Sequence, residues 1–288
     1  MTATIHWHGV QGGQRGSWTT TINNYPSGEP VINFPRDAYV EKLMMRPMSM
    51  LDFMGGLFFI DALLERGQSP PVLILPFVPG ARQDRMNSEG DFLFTAKSIA
   101  KEINARGLKR VTILDPHSEV ISGMIDRCHI IHAHECLRRD RPGTGTYRGD
   151  LRIEMAAYQA VISPDSGAEK RAGAVAKALG LPLVHGWKTR DVATGKITGF
   201  GLERAEVSGY VLVVDDICDG GGTFIGLSSV IKERGLKADL FVTHGIFSQG
   251  TTKLLEQYER VFCTDSIDGD RPGVEVIRTC KKLFEGTF

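Results

Sequence analysis

The sequence lacks any apolar run long enough to span a bilayer. Its longest, LFFIDALL (Leu57–Leu64) and VLILPFV (Val72–Val78), fall far short of the ~20 residues a membrane helix requires, so no membrane association is expected. It also lacks a surplus of either charge, since 34 lysines and arginines face 34 aspartates and glutamates. A dedicated nucleic-acid binder ordinarily carries a basic excess, so any anion handled here must be met by local clusters. Cysteines are few: five, scattered and odd in number. They outline no disulfide framework and fit a reducing, cytoplasmic setting. The start, MTATIHWHGVQGGQRG, is polar and Gly-rich, unlike a secretory leader. The cluster RCHIIHAHEC (Arg127–Cys136) holds three histidines and two cysteines, but at no common zinc spacing, and it reads as a strand with its exit loop.

What is present is an alternation. The 288 residues suit two domains of roughly 140 each. Met50–Arg66 has apolar residues at helical spacing and stops at Gly67, a common helix end. Val72–Val78 reads as a buried strand, Phe92–Ala105 as a helix, and Arg110–His117 as the next strand. After the Gly/Pro/Arg-rich stretch Arg138–Gly149 the rhythm resumes. AVIS (Ala160–Ser163) is a strand, Glu169–Leu179 a helix closed by Gly180, LPLVHGW and VLVVDD are strands, and Thr223–Arg234 is a helix. ADLFVTHGIF and Arg260–Ser266 complete the set. Such repetition predicts an α/β fold with parallel sheets covered by helices. The boundary is placed at the Gly/Pro/Arg-rich stretch, giving domains 1–137 and 138–288.

In open α/β sheets ligands collect at the carboxyl ends of strands, and five strand ends here carry unusual polar groups. In VLVVDDICDGGGT, Asp215 and Asp216 follow a buried strand, placed to accept hydrogen bonds from vicinal ribose hydroxyls. Asp219, Gly220, Gly221 and Gly222 form a loop whose backbone can approach an anion, and Thr223 opens a helix whose free N–H groups favour phosphate. In PGARQDR, Arg82 and Arg85 could clamp a polyphosphate and Gln83 a base or phosphate edge. DPH ends a strand at His117, and SPDSGAEKR carries Asp165; a His and an Asp facing one cleft suit Mg²⁺ held partly by phosphate oxygens. In WKTRD, Lys188 and Arg190 alternate, so they share one side of an extended strand. They precede a Gly-containing hairpin, a suitable carrier for cations that meet a phosphoryl transition state. Each feature alone also fits a solvated loop, and the acidic cradle fits a protein that consumes an activated sugar phosphate as well as one that makes it.

Together these residues resemble the ribose-phosphate pyrophosphokinase family, the phosphoribosyl-pyrophosphate (PRPP) synthetases. YPSGE (Tyr25–Glu29) resembles the family's F-x-D-G-E adenine loop and LFFIDAL its L-L-L-I-D-A-L helix. PGARQDR is similar to the ATP-binding A-R-Q-D-R, DPHSEVISGMID to the D-L-H metal loop and following helix, and SPDSGAEKR to S-P-D-x-G-x-x-K-R. Lys188-Thr189-Arg190 falls where the family has its K-E-R loop, DDICDGGGT where it has D-D-x-x-D-T-x-G-T, and VTHGIFS where it has V-T-H-G-x-F-S. The resemblance implies two phosphoribosyltransferase-like domains with the active site between them. It implies a cytoplasmic transferase of nucleotide biosynthesis that uses ATP and Mg²⁺, binds neither nucleic acid nor membrane, and assembles as a homo-oligomer. The β,γ-diphosphoryl group of ATP would pass to the C1 hydroxyl of ribose 5-phosphate, giving PRPP and AMP. Tyr25, Ser27, Glu29, Arg82, Gln83, Asp84 and Arg85 would hold ATP, and His117 and Asp165 the metal. Lys188 and Arg190 would be catalytic, and Asp215, Asp216, Asp219, Gly220, Gly221, Gly222 and Thr223 would hold the ribose phosphate.

The departures narrow that expectation. No helix is apparent before YPSGE, the segment between Glu29 and Met50 is short, the stretch between His129 and Ala160 diverges, and little room remains for a full terminal helix. These regions usually supply oligomer contacts and allosteric sites, so a hexamer with nucleotide feedback is not implied. Gly220 and Gly221 stand where the family has Thr and a small residue. A looser 5′-phosphate pocket would admit a larger acceptor such as ADP-ribose, a compound of NAD metabolism. Two rivals stand beside this. A PRPP-consuming phosphoribosyltransferase would explain DDICDGGGT but not the ATP-clamp and loop-cation motifs. A non-catalytic regulatory relative would be expected to lose the metal His or the loop cations, yet His117, Asp165, Lys188 and Arg190 are all present.

Overall fold

The structure, a computed structural model, describes residues 3–86, 93–137, 158–190 and 197–288, with the side chains of Ala3, Arg190 and Ile197 outside the description. The chain divides into two compact units, Met1–Ile131 with Ser266–Asp268 and Lys282–Thr287, and His132–Asp265 with Gly269–Lys281 and Phe288. The Gly/Pro/Arg-rich stretch 138–149, where the sequence suggests a boundary, lies outside the described residues.

In chain order the first unit holds β1 (Ala3–Gln11), β2 (Gln14–Asn24), β3 (Pro30–Ile32), β4 (Tyr39–Met45), α1 (Met50–Glu65), β5 (Val72–Ile74), α2 (Thr95–Asn104), β6 (Arg110–Leu114), α3 (Glu119–Met124) and β7 (Cys128–Ile131). Among the described residues these strands make a seven-stranded sheet ordered β3-β2-β1-β4-β5-β6-β7. It is parallel from β4 to β7 but antiparallel from β3 to β4, so the expected parallel arrangement holds for only half of it. The antiparallel half is the polar N-terminal segment. Ile5 and Trp7 point into the core while His6 and His8, both half-buried, lie on the opposite face, the alternation of a strand. The buried Trp7 indole stacks on Trp18 at 4.6 Å and donates from Nε1 to Thr20 Oγ1 at 3.0 Å, as a buried indole N–H requires.

α1 starts in a capping box: Ser49 Oγ accepts from Asp52 N at 3.1 Å and Asp52 Oδ2 accepts from Ser49 N at 2.9 Å. Its Phe53, Leu57, Ile60 and Leu63 enter one core with Leu43, Leu73 and Ile113. No helix among the described residues is long and apolar enough to cross a membrane. The histidine- and cysteine-rich segment is β7, followed in the second unit by the short α4 (Ala133–Cys136).

The second unit continues with β8 (Tyr158–Ser163), α5 (Glu169–Leu179), β9 (Leu183–Arg190), β10 (Ile197–Leu202), β11 (Tyr210–Cys218), α6 (Gly222–Glu233), β12 (Lys237–Gly245), α7 (Thr252–Leu255), β13 (Val261–Thr264) and β14 (Glu275–Ile277); α8 (Thr279–Glu285) follows. Its described strands order as β10-β9-β8-β11-β12-β13-β14, parallel except for the β9–β10 hairpin. After β8 the chain moves to one side, and after β11 to the other, so the carboxyl ends of β8 and β11 flank a switch point, where open α/β sheets leave a crevice. At the opposite strand ends, fully buried Asp239 accepts from Tyr158 Oη, from Tyr210 Oη at 2.8 Å and from Arg260 Nε at 3.0 Å. A buried carboxylate needs such complete satisfaction, and here it ties the starts of β8, β11 and β12 together.

Candidate active site

The switch point of the second unit gathers most of the chemistry. β8 ends at Ser163, and Asp165 follows in a tight turn in which its Oδ1 accepts from Gly167 N at 2.9 Å and Ala168 N at 3.2 Å. Two backbone donors fix the carboxylate's direction and leave Oδ2 to a cation. That cation is the Lys188 ammonium from β9, paired with Asp165 and, like it, mostly buried. Arg190 lies two residues on in β9; its side chain and the hairpin tip 191–196 lie outside the described residues.

Asp215 and Asp216 lie within strand β11, followed there by Ile217 and Cys218, rather than beyond it. Arg171 on α5 reaches both, its Nη1 standing 3.5 Å from Oδ1 of Asp215 and 3.5 Å from Oδ1 of Asp216. Asp216 N donates to Asp215 Oδ1 at 2.8 Å. Burial, reinforced by the Asp216 charge, holds the Asp215 carboxyl well above the usual carboxylate range, with Arg171 pulling the other way. Two adjacent acids in low dielectric do not both ionise freely. Asp215 therefore holds its proton more readily than an isolated aspartate.

The loop after β11 is braced from behind. Ile246 N and Phe247 N both donate to Cys218 O, at 2.9 and 3.0 Å, and Ser248 N donates to Asp219 O at 3.2 Å, so VTHGIFS supports DDICDGGGT. Gly221 caps α6 at φ 78°, a left-handed conformation that favours glycine. Gly220 differs: its backbone is not left-handed, it is exposed, and a Cβ there would meet only Gln249 Cγ at 3.6 Å. Gly222 and half-buried Thr223 begin the helix with N–H groups directed at the loop.

In the first unit, ARQDR follows β5 and DPH follows β6. Asp84 is buried and grips Arg85 through two bonds, Nε to Oδ1 at 2.8 Å and Nη2 to Oδ2 at 3.1 Å. The Arg85 bond, with a further one from Ser118 and the nearby His117, brings the Asp84 carboxyl down to about 2 against the cost of its burial. Asp84 thereby ties the two loops together, while Arg82, Arg85 and His117 stay exposed. Gln83 is engaged by α2, accepting from Thr95 Oγ1 and, through its carbonyl, from Ala96 N at 3.2 Å. Asp115, buried and followed by Pro116, has φ 37°, an uncommon conformation for a non-glycine residue. YPSGE is the β2–β3 turn, closed by Tyr25 N to Glu29 O at 2.9 Å and Gly28 N to Tyr25 O at 2.8 Å, with Ser27 Oγ on Glu29 Oε2 at 2.9 Å. The Tyr25 ring is 59% exposed, available as a stacking face.

The expected residues thus fall into groups: Asp165 with Lys188, Asp215 with Asp216, Asp84 and Arg85 near His117, and Ser27 with Glu29. Sequence reading missed Arg171 and Ser118, which join these groups. Arg171 stood inside SPDSGAEKR, but which of Lys170 and Arg171 turns toward β11 depends on helix phase. Among the described residues no three histidines, cysteines or acids gather as a metal-ligand set.

No family model matches the chain. A ribose-phosphate pyrophosphokinase of Corynebacterium efficiens is 29% identical over 286 residues, covering 92% of this chain and 85% of the relative. One from Pyrococcus abyssi is 26% identical over 275 residues, covering 92% and 90%. Among solved structures, the phosphoribosylpyrophosphate synthetase of Mycobacterium smegmatis superposes with a TM-score of 0.73 at 25% identity, covering 93% of this chain and 90% of that one.

Proposed function

Because the chain is a diverged relative of the ribose-phosphate pyrophosphokinases, we propose that it moves the β,γ-diphosphoryl group of ATP to the C1 hydroxyl of a ribose phosphate and releases AMP. The observation that carries this reading is the pairing of Lys188 with Asp165 in the same unit as the Arg171-bridged acids Asp215 and Asp216. A consumer of an activated sugar phosphate needs the acid pair and phosphate loop but has no use for an ATP clamp such as ARQDR.

In this reading the first unit holds ATP. The exposed Tyr25 ring stacks the base, Glu29 and Gln83 accept or donate at its edge, and Arg82 and Arg85 meet the phosphates, with Asp84 fixing Arg85. The second unit holds the acceptor. Asp215 and Asp216 accept from the ribose hydroxyls, and the Asp219–Gly222 backbone with Thr223 receives the 5′-phosphate. Lys188 and Arg190 neutralise charge that grows on the diphosphoryl group, a task for which positioning and electrostatics suffice.

The residues present suit Mg²⁺. Asp165 would contribute Oδ2, which here pairs with Lys188, and sparse protein ligands match an ion that takes most of its coordination from phosphate oxygens and water. Asp165 in the second unit and His117 in the first are each candidate ligands, and the ion would offset the negative charge of the polyphosphate.

Incubation with ATP, Mg²⁺ and a panel of sugar phosphates tests the reading by AMP release. Turnover with ribose 5-phosphate or a 5′-substituted ribose is expected; AMP formation with no acceptor on the panel would overturn it.

Gly220 supports a second reading of the acceptor. Where the relatives' pattern has a threonine hydroxyl, this chain leaves exposed space. That space suits a 5′-phosphate esterified further, as in ADP-ribose. Turnover with ribose 5-phosphate far exceeding that with ADP-ribose would end this version while leaving the reaction type intact.

A further inference from the structure

The β9–β10 hairpin that carries Lys188 is held to the rest of its unit through glycine contacts. Register pairs Phe200 directly with Lys188, so the two side chains rise on one face. On that face the Phe200 ring lies against the backbone of α6 at Gly226: a Cβ there would stand 1.9 Å from Cε2, 2.4 Å from Cζ and 2.5 Å from Cδ2. The ring is half-buried and packs on the unit's core. One strand residue before Trp187, a Cβ at Gly186 would strike Ser163 O at 2.6 Å and Pro164 O at 3.1 Å. The strand therefore passes tightly over the turn that presents Asp165. Glycine weakens a helix interior, so Gly226, one turn into α6, has a packing reason to be there.

We propose that Gly226 is a positioning residue: by letting Phe200 rest on the α6 backbone it fixes the hairpin so that the Lys188 ammonium meets Asp165. α6 is also the helix whose first turn closes the Asp219–Gly222 loop. One ring-on-backbone contact thus sets the cation relative to the loop. The catalytic meaning of that placement rests on the diphosphotransferase reading; the placement itself does not.

Competitive labelling of lysines with acetic anhydride, read by peptide mass spectrometry, tests the placement without turnover. In the wild type Lys188 is protected by its partner. Gly226→Ala and Phe200→Ala should each raise its labelling several-fold, while circular dichroism and the labelling of Lys232 and Lys253 stay as in the wild type. Gly226→Ala combined with Phe200→Leu, which makes room for the added methyl, should restore protection toward the wild-type level. Where Gly226→Ala does not fold, Phe200→Ala carries the test alone. Unchanged Lys188 labelling in the folded single variants overturns the proposal, as does failure of the double variant to recover.

AMP release supplies the second readout. Displacing a catalytic cation by about an ångström should lower kcat by roughly tenfold to a hundredfold with both KM values nearly unchanged, and the double variant should regain part of it. A wild type that releases no AMP with any acceptor overturns the transfer reading alone, because the labelling result is obtained independently of it.

Discussion

Arg171 Nη1 stands 3.5 Å from Oδ1 of Asp215, and the same nitrogen lies as far from Oδ1 of Asp216. One guanidinium thus bridges two neighbouring, largely buried acids. Taking away one partner of a buried charge cluster leaves the others uncompensated. Arg171→Gln is therefore expected to raise the KM of the ribose acceptor by about tenfold or more and to leave the KM of ATP nearly unchanged. Arg171→Lys should recover part of the loss, because one nitrogen, Nη1, makes both contacts and an ammonium keeps its charge. Steady-state kinetics with both substrates varied separates the cases; an equal loss for ATP would show that Arg171 does not act through the acid pair.

The raised Asp215 carboxyl has a thermodynamic consequence. Unfolded, it loses its proton in the ordinary carboxylate range, whereas folded it keeps the proton to higher pH because of burial and the Asp216 charge. Between those values the native state binds more protons than the unfolded one, so stability falls as pH rises through the interval. Asp215→Asn, an uncharged mimic of the protonated acid, should remove this part of the slope. Its thermal midpoint should match the wild type near the ordinary carboxylate range and exceed it at about neutral pH and above. Parallel midpoint-against-pH curves for the two proteins would refute the assignment.

Lys188→Ala should collapse kcat while equilibrium binding of ATP, read by calorimetry, stays close to that of the wild type. The ammonium touches Asp165 of its own unit and, in the proposed reaction, meets charge that develops only as the diphosphoryl group moves. An interaction made chiefly in the transition state lowers kcat and kcat/KM together. A variant that loses ATP binding and keeps kcat would instead assign Lys188 to ground-state binding.

Much of the second unit is legible in the amino-acid sequence alone. α5 runs over the residues that helical spacing picks out, and Gly180 closes it in a left-handed conformation. Asp165 follows a strand that an apolar run announces, and Lys188 and Asp215 lie in the carboxyl-terminal halves of two more. The first unit is less legible. Ile5 and Trp7 alternate with His6 and His8 around a Gly12-Gly13 turn whose φ values are 58° and 77°, the two-residue geometry that matches strand twist. Polar composition hides that hairpin, since the face opposite the core carries histidines and threonines. The bridges that join motifs are out of reach for a different reason. Arg171 to Asp215 spans 44 residues of chain, and Asp84 reaches Ser118 only because β5 and β6 pair side by side. Strand order, not local pattern, creates both contacts.

The two glycines of the acceptor loop, equivalent in the sequence, are expected to part company under substitution. Gly221 sits at φ 78° at the start of α6, and a Cβ there would also meet Leu254 at 3.4 Å. Gly221→Ala should therefore cost about 1 kcal/mol or more in stability and impair every acceptor alike, by distorting the loop backbone. Gly220 has no such backbone demand and open space around it, so Gly220→Thr should fold with an unchanged thermal midpoint. Its hydroxyl would stand at the loop as in the relatives' pattern, offering a donor to a terminal 5′-phosphate and crowding one that is esterified. The ratio of kcat/KM for ribose 5-phosphate to that for ADP-ribose should rise by about tenfold or more, the range of one well-placed hydrogen bond set against one steric conflict. If Gly220→Thr leaves that ratio where the wild type has it, the width of this loop does not select the acceptor. Specificity would then have to arise from other groups around the ribose.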